Sequence, residues 1–261
     1  MKKGAFVVAC ISVLSFTACA KNMRAEGYVV GEVRLPTEKV LGVEIEWANG
    51  EIEVEESADG ELRVYEETPS GNGENGVCYF VENGVVKVRA CSKNRREKEG
   101  KNLQVEIPKG LDLEIDGLGV EVVVGVVELG AFSVETRTGD ISAERLVCRR
   151  VEVETTDGDV RIGELLAKSC SIESKLGEIT VGLTGGMDCE IETERGNINL
   201  YPHGICLQVD FQTRSGKLIT EKAYEKTGKR YTFDCPLVGT RQNGKLCSME
   251  VETLSGNLSV Y

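Results

Sequence analysis

The residues in this sequence that could carry chemistry are carboxylates beside glycines, one histidine and ten cysteines. Asp140, Asp157, Asp159 and Glu178 all lie next to regularly spaced glycines. Acidic clusters of this kind cleave polysaccharides or bind calcium, which takes several oxygen ligands. Asp beside a turn glycine is also expected for backbone reasons alone, and the calcium-binding nonapeptide repeat is absent. We therefore interpret these carboxylates as turn residues and keep a carbohydrate-active β-helix enzyme as the alternative.

Nucleophilic and zinc chemistry lack the residues that they need. His203, in "YPHG", is the only histidine, and Cys206 is the one cysteine close to it in sequence. A zinc site needs three or four such ligands, and the G-x-S-x-G motif of serine hydrolases is absent. The sequence therefore predicts no catalytic residue, no metal site, no cofactor and no enzyme activity.

Eight cysteines follow residue 19, and none of them forms a C-x-x-C pair. This spacing argues against a metal site, and disulfides are the default in an exported protein. Cys78 and Cys91 flank an Asn-Gly turn, and Cys235 and Cys247 bracket a late loop. We predict a disulfide within each of these two pairs.

The first nineteen residues, "MKKGAFVVACISVLSFTAC", have the pattern of a bacterial lipoprotein signal peptide. Lys2 and Lys3 precede an apolar run at 5–16 that is too short to span a bilayer. The sequence predicts cleavage after residue 18 and a lipid such as palmitate on Cys19, which would anchor the exported protein to the outer side of the cell membrane. An ordinary cleaved signal peptide, or cleavage before Cys10, are the alternatives.

The charge distribution limits the class of partner. The formal net charge is −12, and such a surface repels nucleic acid. Segment 221–245 is unusually basic, interrupts the repeat described next, and is predicted to be a projecting loop or hairpin. Its candidate ligand contacts, for a wall polymer or a membrane-protein partner, are Lys222, Tyr224, Lys226, Lys229, Arg230, Tyr231 and Arg241.

One pattern recurs through the second half of the chain. It is centred on Gly139, Gly158, Gly177, Gly196, Gly216 and Gly256, which step by 19, 19, 19, 20 and 40 residues. Apolar residues precede each glycine by seven and five positions and follow it by two and four, so each unit predicts a strand, a turn and a strand. We expect each glycine to supply a positive φ at its turn.

The position three residues before each glycine always holds a small hydroxyl. Its members are Thr136, Thr155, Ser174, Thr193, Thr213 and Thr253. Stacked coils explain this constancy, because residues at the same position of successive coils lie about 4.8 Å apart in one ladder and share one environment. The sequence therefore predicts an all-β fold, a parallel β-helix-like solenoid of about 19-residue coils stacked in chain order, with an antiparallel meander or sandwich as the alternative. Cys170 and Cys189, seven residues before their glycines, are interpreted as small buried hydrophobic residues.

The earlier part of the chain repeats the frame less regularly. Gly50 and Gly84 have apolar residues at matching offsets, and "LDLEIDGLGVEVVV" fits with Leu118 in the glycine position. We predict a signal peptide at 1–18, an anchor and tether at 19–39, an irregular β module at 40–110 and the repeat solenoid at 111–261, with 221–245 as an inserted loop.

Three motifs carry a resemblance to a known family. "LQVEIPKGLDLEIDGLG", the reiterated "VETRTGDI" and the terminal "NGKLCSMEVETLSGNLSVY" resemble the bacterial putative-adhesin β-strand-repeat family, a domain of unknown function, over residues 40–261. The resemblance implies a solenoid of short strands in an envelope protein, often membrane-anchored, with no catalytic residues to carry over. We expect an adhesin-like scaffold that binds an envelope polymer, peptide or protein partner. A module that senses envelope stress with a membrane partner is a further alternative.

Overall fold

A computed structural model describes residues 28–67, 77–90, 102–233 and 246–261. The N-terminal strands are β1 (Val29–Val30), β2 (Val33–Pro36), β3 (Gly42–Glu56), β4 (Glu61–Glu66), β5 (Val77–Glu82), β6 (Val85–Ala90), β7 (Leu103–Ile107) and β8 (Asp112–Glu128). The strands of the repeat are β9 (Ala131–Thr138), β10 (Ile141–Val147), β11 (Arg150–Asp157), β12 (Val160–Leu166), β13 (Ser169–Ser174), β14 (Ile179–Leu183), β15 (Asp188–Thr193) and β16 (Ile198–Pro202). The last strands are β17 (Cys206–Thr213), β18 (Leu218–Thr220), β19 (Tyr224–Thr227), β20 (Arg230–Phe233), β21 (Leu246–Thr253) and β22 (Leu258–Val260). A single 3-10 turn, Thr37–Lys39, is the only helical element among the described residues, and no helix in them is long and apolar enough to cross a membrane.

Each coil of the repeat contributes one strand before its glycine turn and one strand after it. The strands before the turn form the first ladder, β9–β11–β13–β15–β21–β17, and those after it form the second ladder, β10–β12–β14–β16–β22–β18. All pairings within both ladders are parallel. The parallel stacking confirms the predicted β-solenoid and excludes the antiparallel meander.

The core lies between the inner faces of the two ladders. Val151 and Val153 of β11 point inward together with Val160 and Ile162 of β12, and each of the four is at most 1% exposed. The intervening side chains point outward, as the two-residue period of a strand requires. Inward side chains of both ladders and of the N-terminal strands belong to one hydrophobic cluster.

The glycines at the turns are required by close approach of neighbouring coils. A Cβ added to Gly177 would overlap the carbonyl oxygen of Gly158, and one added to Gly196 would overlap the carbonyl oxygen of Gly177. Of the six repeat glycines only Gly139 has a positive φ, 135°. The expected reason for the other five, a left-handed backbone, is therefore wrong, because the constraint is the space between stacked turns.

The hydroxyl column joins neighbouring turns at Ser174 and Thr193. The Ser174 hydroxyl donates to the carbonyl oxygen of Gly158 in the preceding coil (2.9 Å) and accepts from the N–H of Gly177 in its own coil (3.0 Å). Thr193 repeats the first contact one coil later, at 3.3 Å from the Gly177 oxygen. The Thr155 hydroxyl is buried and makes no hydrogen bond. The Thr253 hydroxyl is likewise buried without a partner, so Ser174 is the member of the column shown to bond to backbone groups of two turns.

The last two coils do not stack in chain order. β21, the C-terminal strand of the first ladder, pairs with β15 on one side and with β17 on the other. The turn at Gly256 correspondingly lies between those at Gly196 and Gly216. The expectation of stacking in chain order is therefore wrong here. Pairing in a ladder requires that the inward and outward positions of neighbouring strands match. A segment with the same pattern can therefore lie between two coils that precede it in the chain.

The N-terminal strands extend the stack with two departures from the expected frame. β3 and β8 run parallel along their length, and Val120 lies opposite Gly50, so Val120 occupies the glycine position that the sequence assigned to Leu118. A shift of two residues leaves the inward–outward alternation unchanged. β5 and β6 form an antiparallel hairpin at Asn83 and Gly84, both with positive φ, instead of a coil. β1 and β2, within the predicted tether, pair with β5 and β4.

Substituting a turn glycine tests the close-approach constraint. We expect Gly177→Ala to lower the free energy of unfolding by about 1–3 kcal/mol, because the new methyl group must displace the backbone of the preceding turn. The matched control is Gly125→Ala in β8, where the added Cβ would lie at an ordinary 3.7 Å from the Val54 oxygen. Urea denaturation measures both, and equal destabilisation of the two variants would contradict the constraint.

Candidate functional site

Among the described residues, the outward side of the first ladder and its extension onto β3 and β8 carries a continuous run of acidic side chains. In this part of the stack seven carboxylates follow one another, each in register with the next. The column consists of Glu46, Asp116, Glu135, Glu154, Glu173, Glu192 and Glu252. Neighbours in a ladder are about 4.8 Å apart, so the column is a continuous line of negative charge.

A second outward column runs beside the first, two residues earlier in each strand. Its acidic members are Glu44, Glu114, Glu152, Glu190, Glu250 and Asp210. Ser133 and Ser171 occupy the two intervening coils. We call the two columns together the acidic face. Positive charge meets the second column at both ends and in the middle. The Lys87 ammonium lies 3.2 Å from Glu44, the Arg150 guanidinium 2.5 Å from Glu152 and the Arg230 guanidinium 2.8 Å from Asp210.

The carboxylates of the acidic face perturb one another. Partial burial raises the pKa of Glu192, and the neighbouring Glu190 and Glu252 raise it further. Burial also raises the pKa of Glu173, with Glu154 adding to the effect. The pKa values of four further members are raised by burial first and by neighbouring carboxylates second, namely those of Glu46, Glu114, Asp116 and Glu135. The face therefore carries negative charge whose mutual repulsion nearby cations such as Lys87 and Lys175 relieve only in part.

Sequence reasoning concentrated on the carboxylates at the turns and missed those of the acidic face. The signal was present, because the residue four positions before the repeat glycine is Glu in five of six coils, as at Glu154 and Glu173. On a strand this phase points outward. Outward-pointing side chains of like charge shape the surface and do not contribute to the core, so the pattern of core-forming positions does not reveal them.

The basic segment forms a cap on the terminal coil. β19 and β20 form an antiparallel hairpin, and β20 pairs with β17. The Arg230 guanidinium makes two hydrogen bonds to Asp210, at 2.8 and 2.9 Å, and the Lys229 ammonium lies 2.7 Å from the Gln212 side-chain oxygen. Both cations are therefore engaged in contacts with side chains of β17, the terminal strand of the first ladder.

The remaining predicted contact residues of this segment are partly in view. Tyr224 and Tyr231 contact edge to face with ring centroids 5.5 Å apart, and the Lys226 ammonium lies 4.7 Å from the centroid of the Tyr231 ring. The N–H of Lys222 donates to the Thr220 hydroxyl at the end of β18. Arg241 lies outside the described residues, as do Cys10 and Cys19, so their roles stay predictions.

The turn carboxylates join one coil to the next. Asp140 accepts a hydrogen bond from the N–H of Asp159, and Asp159 accepts one from the N–H of Glu178, both at 2.8 Å. The second oxygen of Asp159 lies 2.6 Å from Arg161. Asp157 is exposed at the turn. Both oxygens of Asp159, the residue best placed for the alternative enzyme, are thus engaged within the scaffold.

Oxidation of the cysteines differs in part from the prediction. Cys78 is disulfide-bonded, and because Cys91 lies outside the described residues its pairing stays a prediction. Cys247 is a free thiol that is fully buried on β21, so the predicted bridge to Cys235 is absent. β21 directs the Cys247 side chain into the core. Cys206 is disulfide-bonded instead.

The other predicted residues of interest show no grouping that suggests catalysis. His203 is exposed at the end of β16. Within the described residues no three His, Cys, Asp or Glu side chains are arranged to hold a metal ion. Cys170 and Cys189 are buried free thiols, as interpreted from the sequence. The acidic face is therefore the feature that most distinguishes this surface.

The raised pKa values give a pH dependence with a definite sign. Carboxyl groups whose pKa is higher in the folded than in the unfolded chain bind protons more tightly when folded, so stability falls as pH rises through that interval. We expect the free energy of unfolding to increase as pH is lowered from 7 to about 5. Glu192→Gln should stabilise the chain at pH 7 by about 0.2–1 kcal/mol, because a like charge opposite Glu173 and Glu252 is removed.

The control for this prediction is Glu164→Gln on the second ladder. Glu164 is exposed and forms an ion pair with Arg145 at 3.3 Å, so its neutralisation should bring no gain. Thermal unfolding at pH 5 and pH 7 measures both variants. A gain at pH 7 that is the same for both would mean that the repulsion is not specific to the acidic face.

Similar solved structures share low sequence identity with the chain. A putative adhesin from Bacteroides fragilis is 12% identical, with 91% of this chain and 98% of that chain covered and a TM-score of 0.47. A putative adhesin from Parabacteroides distasonis is 10% identical, with coverages of 90% and 98% and a TM-score of 0.43. A putative cell adhesion protein from Clostridium sporogenes is 9% identical, with coverages of 89% and 98% and a TM-score of 0.34.

A search among curated proteins gave no significant match. A protein-family model, Toastrack DUF4097, matches residues 32–260, which include both ladders and the N-terminal strands. The match covers most of the chain, and it agrees with the resemblance carried by the repeat motifs. The stacked coils, the glycine turns and this match together lead to one conclusion: the chain belongs to the Toastrack DUF4097 family, a domain of unknown function.

Proposed function

We propose that the chain is a non-enzymatic, lipid-anchored scaffold of the bacterial cell envelope that binds a Lys- and Arg-rich polypeptide through its acidic face. The observation that carries the proposal is the line of seven in-register carboxylates, five of which have raised pKa values. Cationic side chains of a partner would relieve repulsion that the folded chain retains, and this relief would add to their direct attraction.

Three further features support parts of the proposal. The lipoprotein-like start of the sequence supports export and anchoring at Cys19. The disulfides at Cys78 and Cys206 suit an oxidising compartment outside the cytoplasm. Engagement of both Asp159 oxygens in the scaffold disfavours the alternative of a carbohydrate-active enzyme. The commitment of Arg230 and Lys229 to the terminal strand disfavours the basic cap as the main contact.

A charge-matched pair of triple variants tests the binding surface. The test variant carries Glu154→Gln, Glu173→Gln and Glu192→Gln on the acidic face. The control carries Glu121→Gln, Glu144→Gln and Glu164→Gln, which change the net charge equally at exposed positions elsewhere. With a Lys-rich synthetic peptide as probe, isothermal titration calorimetry should show weaker binding for the test variant alone, and the wild-type affinity should fall with added salt.

The outcome of this comparison is decisive in both directions. Equal loss in the two variants would mean that the peptide responds to net charge and not to the acidic face, which would refute the proposed surface. The same variants, photo-crosslinked at the native cell surface, identify the partner. Capture of an anionic wall polymer through the cap in place of a basic polypeptide would also contradict the proposal.

Anchoring is tested separately from binding. We expect Cys19→Ala to move the chain from the membrane fraction to the soluble fraction and to abolish incorporation of a labelled fatty acid, because no thiol remains for the lipid. The control is Cys10→Ala, which should leave both measurements unchanged. Labelling that persists in Cys19→Ala and disappears in Cys10→Ala would place the anchor at the rival position.

A further inference from the structure

Three sulfur-bearing side chains stack in successive coils on the inward side of the first ladder. Cys170 on β13 lies directly opposite Cys189 on β15, and Cys189 lies opposite Met249 on β21. All three are at least nine-tenths buried. Val151 and Val209 occupy the same phase in the coils on either side. The stack thus brings together sulfurs that are 19 and 60 residues apart in the chain.

These thiols are free in a chain that carries disulfides elsewhere. Cys78 and Cys206 are disulfide-bonded, whereas Cys170 and Cys189 are not. The free thiols of the described residues, Cys170 and Cys189 among them, are all buried. Burial shields them from oxidants in solution.

The spacing of the ladder suits a bridging ion better than a direct sulfur–sulfur bond. In-register side chains of neighbouring strands are separated by about 4.8 Å. A disulfide needs its sulfurs at about 2.05 Å and its Cβ atoms within about 4.5 Å. An ion bound by two thiolates at about 2.3 Å each spans about 4.6 Å between the sulfurs. The repeat distance of the fold therefore matches a linear sulfur–metal–sulfur unit.

A recess of about 330 Å³ lies beside this column, and Cys170, Cys189 and Met249 are among the residues that line it. Asp188 and Glu190, on the outer side of the strand that carries Cys189, line it as well. Carboxylates beside the recess raise the local concentration of cations. The recess therefore brings cations close to the strands that carry the sulfurs.

We propose that Cys170 and Cys189 bind one Cu(I) ion, with the Met249 thioether as an adjustable third ligand. Thiolate and thioether ligands select Cu(I) over harder ions, and methionine adapts its position readily. Binding releases the two thiol protons to solvent and changes no oxidation state. Within the described residues no third Cys, His or carboxylate joins the pair, and the two-thiolate geometry suits Cu(I) and not tetrahedral Zn²⁺.

Anaerobic titration of the full chain with Cu(I), in competition with bicinchoninate, tests the proposal. We expect one tightly bound equivalent in the wild type and its loss in Cys170→Val and in Cys189→Val. The neighbouring coils already have valine at this position, namely Val151 and Val209, so both variants should fold. Circular dichroism will check the folding. Met249→Leu should retain the equivalent with lower affinity.

The matched controls are Cys148→Ala and Cys247→Ala, which remove the two other buried free thiols. Both should keep the tightly bound equivalent, and since all variants share the remaining cysteines, a selective loss assigns the site. Three results would each overturn the proposal: no tight equivalent in the wild type, its persistence in folded Cys170→Val or Cys189→Val, or a Cys170–Cys189 disulfide detected by mass spectrometry in chain isolated from cells.

Discussion

The structure depends on how closely one turn of the backbone can lie against the next. At Gly158, Gly177 and Gly196 the carbonyl oxygen of the preceding turn occupies the place where a side chain would begin. The hydroxyl of Ser174 then joins the two turns by accepting from one and donating to the other. This contact fixes the position of each coil relative to its neighbour, because a slip of even one residue would put a side chain into the turn. The near-constant 19-residue period follows from it.

Once the register is fixed, the side chains at each position of the repeat form a column along the stack. The columns contribute differently to the free energy of folding. Burying an inward Val or Ile stabilises the chain by about 1.5–3 kcal/mol each, and each coil buries several, such as Val153 and Ile162. A pair of like charges on the outward side costs about 0.2–1 kcal/mol. Burial therefore outweighs repulsion in each coil, and the fold tolerates an uninterrupted line of carboxylates. The repeat that builds the core thus also builds the acidic face.

The two ends of the stack are closed differently from its middle. At the C-terminal end the β19–β20 hairpin pairs with β17, and Arg230 and Lys229 bind polar side chains of that strand. A paired and charged terminal strand is less prone to recruit further chains than a bare edge. At the other end, β3 with β6 and β7 covers β8. The described part of the basic segment, 221–233, accordingly completes the last coil.

The sequence by itself determined the fold class, the coil length, the inward residues and the hydroxyl column, because these depend on a period that a single chain displays. The Glu at the fourth position before five of the six glycines was equally visible in the sequence. Its meaning depends on pairing, since only stacking makes Glu154 and Glu173 neighbours. Tertiary structure alone decided that Val120 and not Leu118 takes the glycine position, because a two-residue shift preserves the alternation. It alone placed the coil of Gly256 between those of Gly196 and Gly216, and it alone left Cys247 free, because pairing between strands follows matching phase and complementary shape and not order along the chain.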